Sequence, residues 1–522
     1  MELTAPAAAP WRLRLRRFSF AQKILIAGIL VALADHLFFF QRVGSTAGLF
    51  AAALLIAILV ATPAIGRSRP ALAAAGAALL LVVVLGDDPS PLAAFLFLAA
   101  SALAVLLPRT SAFDDGWRWA KRLLLHAILS IIGPLLDWGR LRAARRRRGP
   151  ARLAVALPLL ALPVLGTALF LALFSAANPL IADAFGRLDL LAAVGGFSIA
   201  RLFFWLLVTL LAWSFLRPPR AALAPPRVRE GDLVLPGVSP ASIALSLAAF
   251  NLVFALQNGL DIAFLWSGAP LPGDMTLAAY AHRGAYPLIA TALLAALFVL
   301  VTLRPGTPTG ESPLVRRLVY VWIAQNVVLV ASTMHRTLDY IEAYSLTRLR
   351  IAALVWMALV AIGLVLICVR LWRRKSGPWL INANLAAALL ALSACSAMDL
   401  GAIAARWNVR HAREVGGAGV RLDLCYLNNL GPSALLPLIE LESRPIKPRF
   451  RERVSWTRNL ILDRLATTQG DWHGWTFRNA RRMSEARRLM AEHRLPRFSA
   501  DIRGCAGRRV VVSGFDSRRA GM

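Results

Sequence analysis

The chain reads as an all-α, polytopic transmembrane helical bundle of about eleven spans, with a smaller helical extramembrane region at its C-terminal end. Three observations predict this. Of its 522 residues 58% are hydrophobic and only 17% charged, and the mean hydropathy is +0.60, a balance that ordinary soluble domains do not show. Apolar windows of about 20 residues, the length a helix needs to cross a hydrocarbon layer of about 30 Å, recur along the chain. These windows are continuous and rich in Ala and Leu rather than alternating, which selects helices over a transmembrane barrel.

The N-terminal stretch 1–23 holds a basic collar, WRLRLRRFSFAQK, ahead of a first apolar run over 24–40. No small-residue cleavage site follows that run and the next begins within a few residues, so it is expected to persist as a helix rather than be removed as a signal peptide. Spans two to four, over 46–65, 71–86 and 91–107, are joined by short connections and complete a four-span unit over 24–107. Arg12, Arg14, Arg16, Arg17 and Lys23 precede the first span, Arg67 and Arg69 lie between the second and third, and Asp87 and Asp88 lie between the third and fourth. By the positive-inside rule the N-terminus is expected in the cytoplasm.

The segment 108–150 breaks the pattern. Its moderately apolar part, 123–138, has Arg118, Lys121 and Arg122 before it, Arg140, Arg142 and the run Arg145–Arg148 after it, and His126, Gly133 and Pro134 within it. Basic flanks on both sides predict an interfacial helix or a re-entrant elbow rather than a span. If it did cross, every later loop would change sides.

A seven-span core is expected over 151–405, with runs at about 151–175, 197–216, 240–266, 285–303, 315–334, 350–371 and 380–404. The loops RPPRAALAPPRVRE, RPGTPTGESPLVRR and LWRRKSGP are basic and read as cytoplasmic. A cytoplasmic start and eleven spans then put the tail, 406–522, outside the cytoplasm. The tail is itself basic, but long tails translocate largely regardless of charge. Two stretches in it, RERVSWTRNLILDRLA and NARRMSEARRLMAEHR, carry apolar residues at three- and four-residue steps and read as amphipathic helices. A short β-like run follows in RRVVVSGFDSRRAGM.

The net charge of +31 flanks the apolar runs, which fits topogenic anchoring and contact with anionic lipids of the bilayer better than a nucleic-acid footprint. The four cysteines show no CxxC spacing, so neither a zinc nor a haem motif is supported. Cys368 and Cys395 read as small apolar residues in helices; Cys425 and Cys505 fall in the tail and are able to pair if it is extracytoplasmic, a pairing the sequence leaves open. A Walker loop, GxSxG and HExxH are absent, and no cofactor or metal is expected.

Chemistry concentrates in two places. In NLVFALQNGLDIAFLW, Asn251, Asn258 and Asp261 recur at helical spacing and make one face of the seventh span polar. Polar groups inside spans normally face the bundle interior, where they hold helices together or open on an aqueous vestibule. The second place is HRTLDYIEAYSLTRLR. Read as one helix, it puts His335, Asp339 and Glu342 on one face and Arg336, Tyr340, Tyr344 and Thr347 on a neighbouring one, with Arg348 and Arg350 behind. The loop carrying Tyr280, His282, Arg283 and Tyr286 is expected on the same surface. Such a set suits an anionic or polyhydroxyl headgroup, general acid–base work or, less readily, a metal held by His335 and Asp339 at i, i+4. The bland alternative is an interfacial collar, in which Tyr and Arg sit at headgroup level and the acids neutralise Arg. Asn382 and Asn384 read as caps opening the last span, and Asp399 lies near its far end.

YAHRGAYPLIATALLAALFVL from Tyr280, DYIEAYSLTRLRIAALVWM from Asp339 and DLCYLNNLGPSALLPL from Asp423 resemble a family of bacterial inner-membrane proteins, domain of unknown function 4173, with the neighbouring 4153 as second choice. The resemblance covers about Ser239 to Leu438 and implies a multi-pass location in the inner membrane without implying an activity. It also implies Gly where Ser345 stands before Leu346 and Thr347, so the Ser argues against a tight turn there.

Three readings stay open: a transporter-like, flippase-like or other envelope protein handling a polar or anionic solute at the outer face; a membrane-embedded enzyme acting on a lipid-linked headgroup, with His335, Asp339 or Glu342 as base and Arg283, Arg336 or Arg348 on a phosphate; and a sensory or scaffolding protein whose tail binds an envelope partner protein.

Overall fold

A lipid layer offers no water to backbone N–H and C=O groups, so each apolar run closes its own hydrogen bonds as a helix. The computed structural model describes residues 19–110, 115–146, 166–167, 198–218, 239–266, 294, 298, 312–417, 419–495 and 504–508. The chain divides into two units, residues 1–113 with 118–226 and residues 114–117 with 227–522.

The first unit carries α1 (Phe20–Phe38), α2 (Thr46–Ala61), α3 (Arg69–Asp87), α4 (Pro91–Leu106), most of α5 (Gly116–Arg146), and α6 (Ile199–Leu216). Ser19 and Gln22 close a capping box at the start of α1, and Ser90 caps α4 ahead of Pro91. Ala71, Ala75 and Ala78 of α3 and Ala93, Ala100 and Ala104 of α4 are buried, small residues of the kind that let membrane helices approach closely. At Gly48 a Cβ would fall 2.6 Å from the Gly86 Cα, so α2 meets α3 backbone to backbone. Helices α1 and α6 run antiparallel. At one end Arg201 forms an ion pair with Asp35, whose carboxylate also accepts from Trp205 Nε1 at 2.9 Å. At the other, Lys23 Nζ donates to the Leu216 carbonyl at 2.8 Å.

Helix α5 runs unbroken through Gly133 and Pro134, without the turn that a re-entrant elbow needs. Pro134 costs one backbone hydrogen bond without ending the helix. Asp137 accepts from Trp213 Nε1 at 3.2 Å and pairs with Arg217 at 3.2 Å, tying α5 to the end of α6. His126 is 4% exposed and meets Phe215 edge-on at 5.9 Å.

The second unit begins with α7 (Pro240–Asp261), continued by a π-helical turn Ile262–Trp266, and adds α8 (Pro313–Tyr344), α9 (Arg348–Trp372), α10 (Gly377–Ala397), α11 (Leu400–His411), α12 (Leu424–Leu430), α13 (Leu435–Glu442), α14 (Pro448–Gly470) and α15 (Phe477–Glu492). Among the described residues α1, α3, α4, α6, α7, α8, α9 and α10 are long and apolar enough to cross a membrane, with α2 a shorter apolar helix. The protein is a multi-pass helical membrane protein. The expected spans at 151–175 and 285–303 and the β-like run after Arg508 lie outside the described residues, apart from isolated positions.

Three local expectations are corrected. HRTLDYIEAYSLTRLR is two helices: α8 ends at Tyr344 and α9 starts at Arg348. A tight turn does occur, with Ser345 at φ +70°, ψ 162°, a region that is essentially reserved for Gly. Thr347 is not on a face of α8 but caps α9, accepting from the Arg350 N–H at 3.3 Å. The span expected over 380–404 breaks after Ala397, where Asp399 accepts from the Ala402 N–H at 2.9 Å and starts α11. Ser376, not Asn382 or Asn384, caps α10; Asn382 Oδ1 accepts from the Gly116 N–H at 2.6 Å, and Asn384 bonds back to the Leu380 carbonyl at 2.9 Å.

At 1.5 Å per residue the 32 residues of α8 span about 48 Å, longer than a hydrocarbon layer of about 30 Å. Its end therefore leaves the layer, and Ile341 and Leu346 enter an apolar core with Ala405 of α11 and Val409, Leu427 and Leu438 of the tail. Asn408 clamps the turn, with Oδ1 accepting from the Leu346 N–H at 2.6 Å and Nδ2 donating to its carbonyl at 2.9 Å. Asp399 pairs with Arg482 of α15 and accepts from Ser433 Oγ at 2.9 Å. Cys425 and Cys505 form a disulfide with Cα atoms 5.0 Å apart. Buried Glu442 and Arg458 pair at 2.7 Å; burial pushes the carboxyl up and the guanidinium down from their usual ranges, so the pair adds order more than stability.

Burial, helped by the charge of Arg109, holds the His126 imidazole down at about 4 against an ordinary 6.5. The folded pKa is depressed, so between these values the unfolded chain binds the extra proton; stability is whole above about 6.5 and falls progressively toward pH 4, by an amount on the order of 3 kcal/mol. Thermal unfolding in detergent should lose more Tm between pH 7 and 4.5 in the natural protein than in a His126→Leu variant.

Candidate functional site

Helices α7 and α8 lie side by side and parallel. Asn251 Nδ2 donates to the Leu318 carbonyl at 3.1 Å, Asn258 Nδ2 to the Gln325 carbonyl at 3.0 Å, and Trp266 Nε1 to Ser332 Oγ at 3.1 Å, so contacts advance in the same direction along both helices. Gln325 Nε2 returns a bond to Asn251 Oδ1 at 3.2 Å. Trp322 packs between these polar steps against Phe250 and Phe254, with ring centroids at 5.4 and 5.8 Å. The seam is polar because neither helix has water to turn to there.

At the top of the seam Arg336 makes an ion pair with Asp261. The side chains are 5% and 0% exposed, and Gln257 Nε2 donates to the same Asp261 oxygen at 3.0 Å. Arg316 and Arg317 mark the far end of α8, where Arg316 donates to the Leu371 carbonyl at 3.4 Å. From Leu318, just inside them, Arg336 lies about 27 Å up the helix, near the opposite edge of a layer of about 30 Å. One buried charge alone would cost several kcal/mol, and mutual neutralisation is what makes both tolerable. The helix is π-wound immediately after Asp261, a departure frequent at functional sites. Asp261 Oδ2 and, one turn below it, Asn258 Oδ1 are buried acceptors with no hydrogen-bond donor among the described residues, as is Gln325 Oε1 further down the seam beside Asn251, each costing about 1–3 kcal/mol.

One turn of the helix carries the polar seam outward. His335 Nδ1 lies 3.3 Å from Asp339 Oδ1, both partly exposed, and the His335 ring meets Trp266 edge-on at 5.3 Å. Thus Asn258, Asp261, His335, Arg336 and Asp339 form one constellation. The other expected residues that are described sit elsewhere. Tyr340 and Tyr344 stack at 4.8 Å, Arg350 covers Tyr340 at 4.3 Å and donates to the Tyr344 carbonyl at 2.6 Å, so this group closes the end of α8. Arg348 is held in the tail, where its N–H donates to the Tyr426 hydroxyl at 3.1 Å and its guanidinium to the Leu430 carbonyl at 3.4 Å. Glu342 is exposed. Tyr280, His282, Arg283 and Tyr286 lie outside the described residues.

Gln257, Trp266, Gln325 and Ser332 belong to the seam and were not singled out from sequence. A signal existed: Gln325, Ser332 and Arg336 follow at steps of seven and four, one stripe of a helix. The Asp35–Arg201 pair of the first unit was also missed, its partners being separated by most of that unit.

Residues 71–441 match the model of a family described as Domain of unknown function (DUF4153). This is the second of the two families the sequence strings resemble, so the first, 4173, is corrected. No curated protein matches the chain, and no solved structure does.

Removing either charge of the seam takes from the other, still buried, its opposite charge. Asp261→Ala or Arg336→Ala should each lower stability by about 3–5 kcal/mol, whereas Asp261→Leu with Arg336→Met should recover most of it; denaturant unfolding of all four proteins in one detergent checks the coupling.

Proposed function

The chain belongs to the family of the domain of unknown function DUF4153, and on that premise we propose that it is an envelope membrane protein of transporter-like character that handles a polar or anionic solute at the outer face of the bacterial inner membrane. The buried Asp261–Arg336 pair carries the reading. An intramembrane ion pair next to acceptors without donors is a functional-site hypothesis by default. Here the chemistry is specific. An anion that replaces Asp261 on Arg336 keeps the guanidinium paired, and a hydroxyl group on it supplies a donor to Asn258 Oδ1.

Two observations support the outward orientation. The Cys425–Cys505 disulfide belongs to an oxidising compartment, and the same side of the second unit holds the ends of α7 and α8. The tail is then extracytoplasmic, and His335 with Asp339 forms the solute's first contact. A second reading rests on that same dyad: a His oriented by a carboxylate at 3.3 Å, one residue from an Arg, is also a general acid–base arrangement. Under it the protein is an enzyme acting on a lipid-linked headgroup.

Inorganic phosphate and glycerol 3-phosphate should raise the Tm of the purified protein. Asp261→Asn should bind them about tenfold more tightly, because Arg336 loses its internal competitor, and the Asp261→Leu, Arg336→Met pair should show no shift. An equal shift in that double variant, or none with any anion, overturns the reading. His335→Gln separates the alternatives: it leaves the shift in place and abolishes headgroup turnover only if the enzyme reading holds. A reporter fused after Met522 should be active only when folded outside the cytoplasm.

A further inference from the structure

Among the described residues the second unit buries three arginines, Arg336, Arg370 and Arg458. Arg336 has Asp261 and Arg458 has Glu442. Arg370, two residues before α9 ends at Trp372, is 4% exposed, and its side chain has no hydrogen bond, ion pair or ring contact among the described residues; Nη1 is an enclosed donor with no acceptor. A guanidinium keeps its charge in a protein, so Arg370 cannot escape the cost of burial by losing a proton. It calls for an anion.

The helices around it supply none. Residues 312–338 and 343–398, which hold α9, α10 and most of α8, contain no Asp or Glu, while Arg316, Arg317, Arg373, Arg374 and Lys375 gather at the same end. Where α9 meets α10, a Cβ on Gly363 would fall 2.9 Å from Asn384 Oδ1. Arg370 is seven residues further along the same face, and α10 returns antiparallel after a short turn, so Arg370 faces the first turn of α10. Arg316 of α8 donates to the carbonyl of the next residue, Leu371, at 3.4 Å, and Ile367, one turn back, packs in an apolar cluster with Val315 and Leu380. Asp115, next to the Gly116 that Asn382 holds, makes no ion pair with Arg370. Arg370 thus sits where the end of α9 meets the starts of α8 and α10, and helix starts carry partial positive charge.

The depth of the site selects the anion. Trp372 follows at once, 71% exposed, with the Arg373 guanidinium 5.5 Å over its ring, and tryptophan with arginine is the composition of the headgroup level. The anion abundant at that level is phosphate carried by lipid, and the planar fork of arginine takes phosphate oxygens two at a time. We propose that Arg370 is the core of a phosphate-binding site at the membrane edge opposite the Asp261–Arg336 pair, and that it holds the phosphodiester of an anionic phospholipid between the ends of α8, α9 and α10. Neither the family match nor the solute site requires this.

The test uses the full chain, stripped of lipid in detergent and titrated with phosphatidylglycerol, with native mass spectrometry counting bound lipid and Tm read in parallel. The natural protein should keep a tight lipid adduct and gain Tm. Arg370→Gln should weaken that adduct about tenfold and lose the gain, whereas Arg317→Gln, which removes an equal charge from an exposed position at the same end, should change the affinity by less than about twofold. Equal weakening by the two variants would mean diffuse charge and overturns the proposal. Before lipid is added, Arg370→Gln should melt no lower than the natural protein, because it removes a buried charge that no protein group neutralises; a lower Tm, or failure to fold, means an internal partner and also overturns it. Inorganic phosphate is added to the Asp261→Leu, Arg336→Met protein with and without Arg370→Gln. A rise in Tm that Arg370→Gln removes would put a soluble anion on Arg370 and overturn the lipid assignment.

Discussion

A carboxylate with none of its surface exposed, Asp261, sits in a helix that crosses an apolar layer, and the constraint this sets runs through the second unit. The charge is tolerable only because Arg336 reaches it. That requirement fixes α8 beside α7 in parallel and in one register, since a slip of a single residue would turn Arg336 away by about 100° and leave both charges bare. The amide contacts below, from Asn251, Asn258 and Gln325, repeat the same logic with neutral groups at lower stakes.

The register has a consequence beyond the membrane. Helix α8 is too long for the layer, so its last turn is at once the roof of the polar seam and part of the tail's apolar core. Arg336 and Ile341 lie five residues apart on this one helix, so the seam and the tail's core share it. In the tail the disulfide closes a separation of 80 residues, worth about 4.5 kcal/mol on a chain-entropy account, and the Asn408 clamp holds the strained Ser345 turn. The strain at Ser345, a non-glycine in a glycine region, persists because its neighbours leave it no choice.

The helical class was legible from composition, and the described apolar runs form helices, because in lipid the run itself is the cause of the helix. Breaks were less legible. Nothing in LTRLR announces that Thr347 would cap a new helix, and Met398–Asp399 looks like a polar flaw in a span until Asp399 is seen holding Ala402, Ser433 and Arg482. Pro134 misled in the other direction: proline argues for a break, yet α5 continues past it to where Asp137 is held by Trp213 and Arg217.

What the sequence determined by itself is the medium and the alphabet: a chain this apolar must cross a membrane as helices, the rare polar residues within its spans must turn inward, and Asp261 and the His335–Asp339 cluster were already visible as the ones to watch. Only the tertiary structure decided which polar residues meet. Helical spacing gives each residue a face on its own helix, but the partner of Asp261 stands 75 positions away, and the choice of Arg336 over Arg348 or Arg350 rests on the register of two long helices. That register is set by the whole set of amide, aromatic and ionic contacts between α7 and α8 at once, a sum that no local pattern contains.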